Sequence, residues 1–236
     1  MSRIFLTGDL HGNSLNEMKT LNNKNFHHKK ELTKDDYLIC LGDFGFLWHN
    51  PPTKEEKYWL DWLADQPFTT LTLDGNHENF DLMDVIPTEE RFGNPVGVVR
   101  EGIYHLKRGY VYDIGERSFF VMGGAESIDR GSRMPGVSWW EREMPNYLEY
   151  ARAHKSILDR KKVDYVLTHD CPTDVTEMVG FMDKYGLSRQ LKMFFDQVVI
   201  EDLEFDQWFF GHYHVNETVE YVGKKFTCIY KKVLEV

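Results

Sequence analysis

Short apolar runs recur along the chain, with longer amphipathic stretches between them. Ile4 to Leu6, Tyr37 to Leu41, Thr69 to Leu73, Phe119 to Met122, Tyr165 to Leu167 and Trp208 to Phe210 have the length and continuity of buried strands. The stretches between them predict helices over residues 13–24, Lys54 to Ala64, 145–160 and 187–200. In the second of these, Tyr58, Trp59, Trp62 and Leu63 form an apolar stripe, with Pro51-Pro52 before it and Pro67 after it. Strand-helix alternation predicts an α/β fold with an at least partly parallel sheet. The tail departs from this rhythm. Val219 to Val222, Gly223-Lys224 and Phe226 to Val233 predict an antiparallel hairpin with a glycine-containing turn. Residues 80–160 are less regular and carry Pro87, Pro95, Pro135 and Pro145; strands are expected there at Val98 to Leu106 and Tyr110 to Ile114. No composition break sets this stretch apart, so the expectation is one domain over residues 1–236 with an irregular elaboration at about 80–160.

The polar residues that follow the strands change the picture. Thr7-Gly8-Asp9-Leu10-His11-Gly12 follows the first, Gly42-Asp43-Phe44-Gly45 the second and Asp74-Gly75-Asn76-His77-Glu78 the third. Thr168-His169-Asp170 follows the Tyr165 strand, and Gly211-His212-Tyr213-His214 the Trp208 strand. Ligands of open α/β sheets bind outside the carboxyl ends of parallel strands, so five distant clusters are expected to converge in one crevice. Asp, His and Asn offer the oxygen and nitrogen donors that suit Mn²⁺, Fe or Zn²⁺, and no Cys occupies these strand ends. Asp9 and His11 are two apart, as are His212 and His214, a spacing that turns both members of a pair to one side of an extended segment.

Composition narrows the partners. The 236 residues are 42% hydrophobic and 14% aromatic, enough for a core without staples. With 28 basic and 38 acidic side chains the formal charge is −10, which disfavours a general grip on long nucleic acid. Cys40, Cys171 and Cys228 are odd in number and form no C-x-x-C, the pattern of free thiols in a reducing compartment. The apolar stretch at the start ends at Asp9, too short for a signal peptide, and no run approaches the length of a membrane span. A cytoplasmic protein is expected.

Taken in order, Gly8-Asp9-Leu10-His11, Gly42-Asp43, Gly75-Asn76-His77-Glu78, Thr168-His169 and Gly211-His212-Tyr213-His214 resemble the signature of the calcineurin-like metallophosphoesterases. The resemblance spans residues 8–214. It implies two packed central β-sheets flanked by helices, a four-layer sandwich, with two divalent metal ions at the carboxyl ends of the strands. Mn²⁺ is the first expectation for those ions, with Fe and Zn²⁺ as alternatives. Carried over by residue, Asp9, His11 and His214 hold one ion, Asn76, His169 and His212 hold the other, and Asp43 bridges them. A metal-bridging hydroxide then attacks a phosphate ester in line with the leaving oxygen, and His77 is the general acid. The implied substrate is a small phosphorylated metabolite or nucleotide, with phosphomonoester and phosphodiester both admitted. A nuclease is the alternative within the enzyme class, and a non-catalytic interaction scaffold the alternative outside it. Oligomeric state is left open.

Two departures from the family's pattern matter. Family members that pair the catalytic histidine with an aspartate place it three residues after the bridging one, where this chain has Phe46. Asp74 stands where the protein serine/threonine phosphatases carry arginine, and Asp-Arg-Gly is absent after Gly42-Asp43, which argues against that specialisation. Arg130 and Arg133 are the candidate substrate-binding residues, since a guanidinium fork suits phosphate. Trp48 and His49 are placed at the mouth of the site, Trp139-Trp140 in a packing role, and Glu78 behind the ligands.

Overall fold

Side chains alternate across each strand, and in the computed structural model of the protein this alternation builds three apolar layers. The structure describes residues 2–12, 18–182 and 188–236. Thirteen strands form among them: β1 (Ile4–Thr7), β2 (Tyr37–Leu41), β3 (Thr69–Leu73), β4 (Thr88–Arg91), β5 (Asn94–Arg100), β6 (Ile103–Leu106), β7 (Tyr110–Ile114), β8 (Arg117–Met122), β9 (Tyr165–Thr168), β10 (Gln207–Phe210), β11 (Glu217–Tyr221), β12 (Lys224–Cys228) and β13 (Leu234–Glu235). One sheet has seven strands in the order β13-β1-β2-β3-β6-β5-β4, and the other six in the order β11-β12-β10-β9-β8-β7. The strands β1, β2, β3 and β6 run parallel, as do β8, β9, β10 and β12; antiparallel strands border each set.

The sheets pack face to face. Ile4, Leu6, Ile39, Leu41, Leu71 and Leu73 of the first meet Tyr112, Ile114, Phe119, Val121, Leu167 and Phe209 of the second. The residues between them in sequence point outward. Phe5, Leu38 and Cys40 pack with helix α1 (Lys54–Ala64), while Phe120, Val166, Trp208 and Phe210 pack with helices on the other side. The result is helix, sheet, sheet, helix, the four-layer sandwich expected. In α1, Thr53 and Glu56 form a capping box, and Leu60 and Leu63 are buried. Trp59 and Trp62 are half-buried as the stripe predicts, but Tyr58 points to solvent.

Four expectations are corrected. Of the helix expected over 13–24, residues 13–17 lie outside the described residues; Met18 is helical, Lys19–Leu21 form a 3₁₀ turn, and the chain is extended at Asn22, short of the expected end. Val98 to Leu106 is two antiparallel strands, because Gly102 at φ 80° reverses the chain between β5 and β6. The last strand of the hairpin stops at Cys228 instead of Val233, and β13 crosses to pair with β1 in the other sheet. In the stretch 187–200, residue 187 lies outside the described residues; an α-helix runs from Arg189–Phe194, then widens to a π turn at Phe195–Val199. The remaining long helix, Tyr147–Arg160, is close to its expected span and buries Tyr150, Ala153 and Ile157.

Candidate active site

The parallel strands of both sheets end on one side, and their following turns meet there. Asp9, Asp43 and Asn76 come from the seven-stranded sheet; His169, His212 and His214 come from the six-stranded sheet. The turns are sharp. His11, Asp43, His212 and His214 all have positive φ, at 41°, 49°, 67° and 53°, in the left-handed region that non-glycine residues seldom enter. Such strain persists only where the surroundings hold it in place, and it concentrates at functional sites. Here the main chain supplies that hold: the His11 N–H donates to the Asp43 carbonyl at 2.8 Å, and the His212 N–H donates to Asp9 Oδ1 at 3.2 Å. Close approach also dictates Gly75, where a Cβ would lie 2.1 Å from Asp43 Oδ1.

Donor atoms from Asp9, His11, Asp43 and His214 lie within 4.8 Å of one another. The Nε2 atoms of His11 and His214 are 3.2 Å apart, and His11 Nε2 is 3.7 Å from Asp43 Oδ2. The His214 ring is stacked on Tyr230, with centroids 4.2 Å apart. Asp9 is 1% exposed, and its Oδ2 has no hydrogen-bond partner among the described residues. A buried carboxylate oxygen left without a donor is costly unless a cation or ordered water meets it. Burial pushes the Asp9 pKa up to about 6, though His169 opposes the shift.

A second group of donors adjoins the first. His169 is fully buried and its Nδ1 donates to the Leu41 carbonyl at 2.7 Å, which leaves Nε2 facing Asp43 Oδ1 at 3.4 Å and Asn76 Oδ1 at 3.2 Å. The His212 ring lies 5.0 Å from that of His169. Burial disfavours charge on His169, but Asp43 and Asp9 outweigh it and raise its pKa to about 10. Burial instead takes the His212 pKa down to about 4, helped by His169. The carboxylates of this pocket call for positive charge, and a cation on the Nε2 atoms would supply it. The donors present therefore fit two adjacent divalent ions, with Asp43 facing both groups.

Asp43 is itself tightly held. Its Oδ1 accepts the N–H groups of Asn76 and His77 at 3.0 and 2.8 Å. Burial opposes its charge, but His169 above all, with His77 and His11, keeps its pKa well below the usual carboxylate range. Glu78 sits behind it, accepting the Phe44 N–H at 2.8 Å. Burial, with Asp43 nearby, pushes the Glu78 pKa up to about 8.

His77 is turned to the cleft beside His11, with ring centroids 5.2 Å apart. The two terminal guanidinium nitrogens of Arg133 lie 3.1 Å from His77 Nδ1 and 3.2 Å from Nε2. Arg133 thus holds both ring nitrogens of His77 within hydrogen-bond distance. Burial takes the His77 pKa down to about 4, and Arg133 adds to the shift while Asp43 opposes it. Arg133 Nε is anchored by Asp129 at 2.7 Å. Arg130, the other arginine expected to grip phosphate, is paired with Glu126 and half-exposed, and it does not line the cleft. Trp48 and His49 do line the site's second cleft, and Trp140 packs edge-on against Trp48. Asp74, at the position of the phosphatase arginine, is buried against His105 and Arg108.

Four residues that sequence reasoning missed support the ligands. Asn76 Nδ2 donates to Ser127 Oγ at 3.0 Å, and Ser127 donates from Oγ and N–H to the buried Glu143 at 2.9 and 3.0 Å. This chain of bonds turns the Asn76 carbonyl oxygen towards His169. Ser127 follows Gly123-Gly124 at the end of β8, so the rule that found the other clusters extends to it. Lys192 is also buried, with Nζ at 2.6 Å from Thr176 Oγ1, 2.9 Å from Tyr213 OH and 3.1 Å from Asp170 Oδ1. Despite burial, Lys192 above all holds the Asp170 pKa down to about 2. Tyr213 was visible only as the residue between two histidines, and Lys192 had no sequence signal.

The family model of the calcineurin-like phosphoesterases matches residues 2–216. The chain belongs to that family. No curated protein matches it in sequence. Among solved structures, GAP50, the anchor in the inner membrane complex of Plasmodium, is similar with a TM-score of 0.56 at 13% identity, over 97% of this chain and 71% of that one. A putative 5′-nucleotidase from Staphylococcus aureus in complex with alpha-ketoglutarate gives a TM-score of 0.57 at 13% identity, over 99% of this chain and 50% of that one. The chain thus spans about half the length of the putative nucleotidase. At such identities the likeness is one of fold. Among the described residues, no helix is long and apolar enough to cross a membrane.

Proposed function

We propose that the protein hydrolyses the ester of a small phosphorylated metabolite or nucleotide at a centre of two divalent metal ions, with Mn²⁺ the first candidate. Asp9, His11 and His214 would hold one ion, and Asn76, His169 and His212 the other, with Asp43 between them. Such a pair supplies charge against the phosphoryl oxygens and a water of lowered pKa. The protein's own residues do the rest. Arg133 offers a permanent cation beside the centre, where a phosphoryl group gains charge. His77, in the same cleft, would give the departing oxygen its proton. The ring is neutral near pH 7 without substrate, so it takes up that proton once the phosphoryl anion lies against it. The observation that carries the reading is the buried Asp9 Oδ2, without a hydrogen-bond partner among the described residues and in the midst of histidine and carboxylate donors.

The test compares leaving groups. In metal-loaded protein, His77→Gln should lower turnover of an alkyl phosphate by about 10²–10⁴-fold and that of p-nitrophenyl phosphate much less, because a nitrophenolate leaves unprotonated. Equal losses on both would remove the proton-donor role. Full activity after chelation of the metals would remove the whole reading.

A further inference from the structure

His77 and Arg133 stand on a ridge between two clefts and line both. The first cleft, about 770 Å³, is walled by Ile128, Phe181, Met182 and Tyr213. Ile128 and Met182 are 83% and 69% exposed, a large apolar surface to leave in water at the edge of a polar centre. The second, about 650 Å³, is lined by Trp48, His49 and Lys54, none of which lines the first. The metal-ligand candidates are divided in the same manner: His11 faces the second cleft, and Asp43, Asn76, His212 and His214 face the first. A phosphomonoester has one organic arm and would fill one of these spaces.

We propose that the natural substrate is a phosphodiester with an organic arm in each cleft. This deepens the phosphoesterase reading and rests on it. The apolar wall of Ile128, Phe181 and Met182 suits an arm that ends in a flat aromatic or aliphatic group, such as a nucleobase. The second arm lies against Trp48, with Lys54 beside it. The flanks also set a limit on length. Glu126 and Asp129 border the first cleft and Glu55 and Glu56 the second, on a chain of formal charge −10. Further phosphates of a long strand would run into these carboxylates, so the substrate carries one phosphate at its centre. In the reaction a water oxygen bonds to phosphorus and the bond from phosphorus to one arm's oxygen breaks. One of the water's protons ends on that oxygen and the other in solvent, which gives an alcohol and a phosphomonoester.

The experiment uses Mn²⁺-loaded protein and three esters with one leaving group: p-nitrophenyl phosphate, bis-p-nitrophenyl phosphate and thymidine 5′-(p-nitrophenyl phosphate). Both diesters should exceed the monoester in kcat/KM by tenfold or more, with the nucleoside diester ahead. Phe181→Ala and Trp48→Ala should each lower the ratio of diester to monoester kcat/KM about tenfold. Faster turnover of the monoester, or a ratio that neither substitution moves, would overturn the two-armed substrate and leave the phosphoesterase reading intact. No turnover of any ester would overturn both.

Discussion

The two terminal nitrogens of the Arg133 guanidinium lie 3.1 and 3.2 Å from the two ring nitrogens of His77. Where the family's pattern would place a carboxylate near the histidine, this chain has Phe46, and a cation has taken up the task of fixing the ring. A cation held against both ring nitrogens restrains the ring's rotation and disfavours a proton on it at the same time. Arg133→Ala should therefore lower kcat/KM about 10–100-fold, roughly 1.4–2.8 kcal/mol in the barrier. Arg133→Lys should recover little, since an ammonium lacks the planar fork that reaches both ring nitrogens. Full recovery with lysine would show that charge alone matters there.

Asp43 faces both groups of donors, so its loss should be felt at both. Asp43→Asn should reduce bound metal from two ions per chain towards one or none, read by elemental analysis after gel filtration. Its amide would also present N–H groups where the backbone of Asn76 and His77 now donates. Unchanged stoichiometry would take Asp43 out of the ligand set.

Ser127 touches no donor of the first group and makes its contribution through Asn76 alone. Supporting partners of this kind are worth about 10–100-fold in metal affinity. Ser127→Ala should weaken the second ion by that amount in a competition titration and spare the first, and Ser127→Thr should retain most of the affinity. Equal weakening of both ions would instead indicate a general loosening of the fold.

Stability should depend on the pair of Asp74 and Arg108, whose side chains are 3% and 2% exposed. Arg108→Met leaves a buried carboxylate without its cation and should cost about 3–5 kcal/mol, seen in urea unfolding. Burial opposes charge on Asp74, but Arg108 and His105 hold its pKa below the usual range. A lowered folded-state pKa stabilises the native state above the unfolded value, about 4, and the benefit fades as pH falls further. The gap between the native protein and Arg108→Met should accordingly narrow below about pH 4. A constant gap would assign the loss to packing.

The strands that carry the candidate ligands were legible because both of their faces are buried, which gives continuous apolar runs, and because the turn after each holds Asp, Asn or His, with glycine beside them in all but the turn at His169. β4 was not: Thr88, Glu89, Glu90 and Arg91 form a mostly exposed edge, where no apolar run marks a strand. Arg130 and Arg133 looked alike in sequence, and only the path of the loop separates the one held by Glu126 from the one held against His77. The helix expected over 187–200 keeps its apolar periodicity, but periodicity cannot announce the extra residue per turn at Phe195–Val199. Ser127, Glu143 and Lys192 act through partners far off in the chain, and no local pattern reports such contacts.

The donors are shared between two sheets whose common face is apolar and makes no demand on their exact offset beyond close packing. The distance across the metal centre is thus a property of the whole sandwich. A side chain deep between the sheets, such as Phe119 or Phe209, acts as a spacer whose size tunes the gap that ions must span. Metal preference in this protein can consequently drift through ordinary core substitutions, with every ligand left in place.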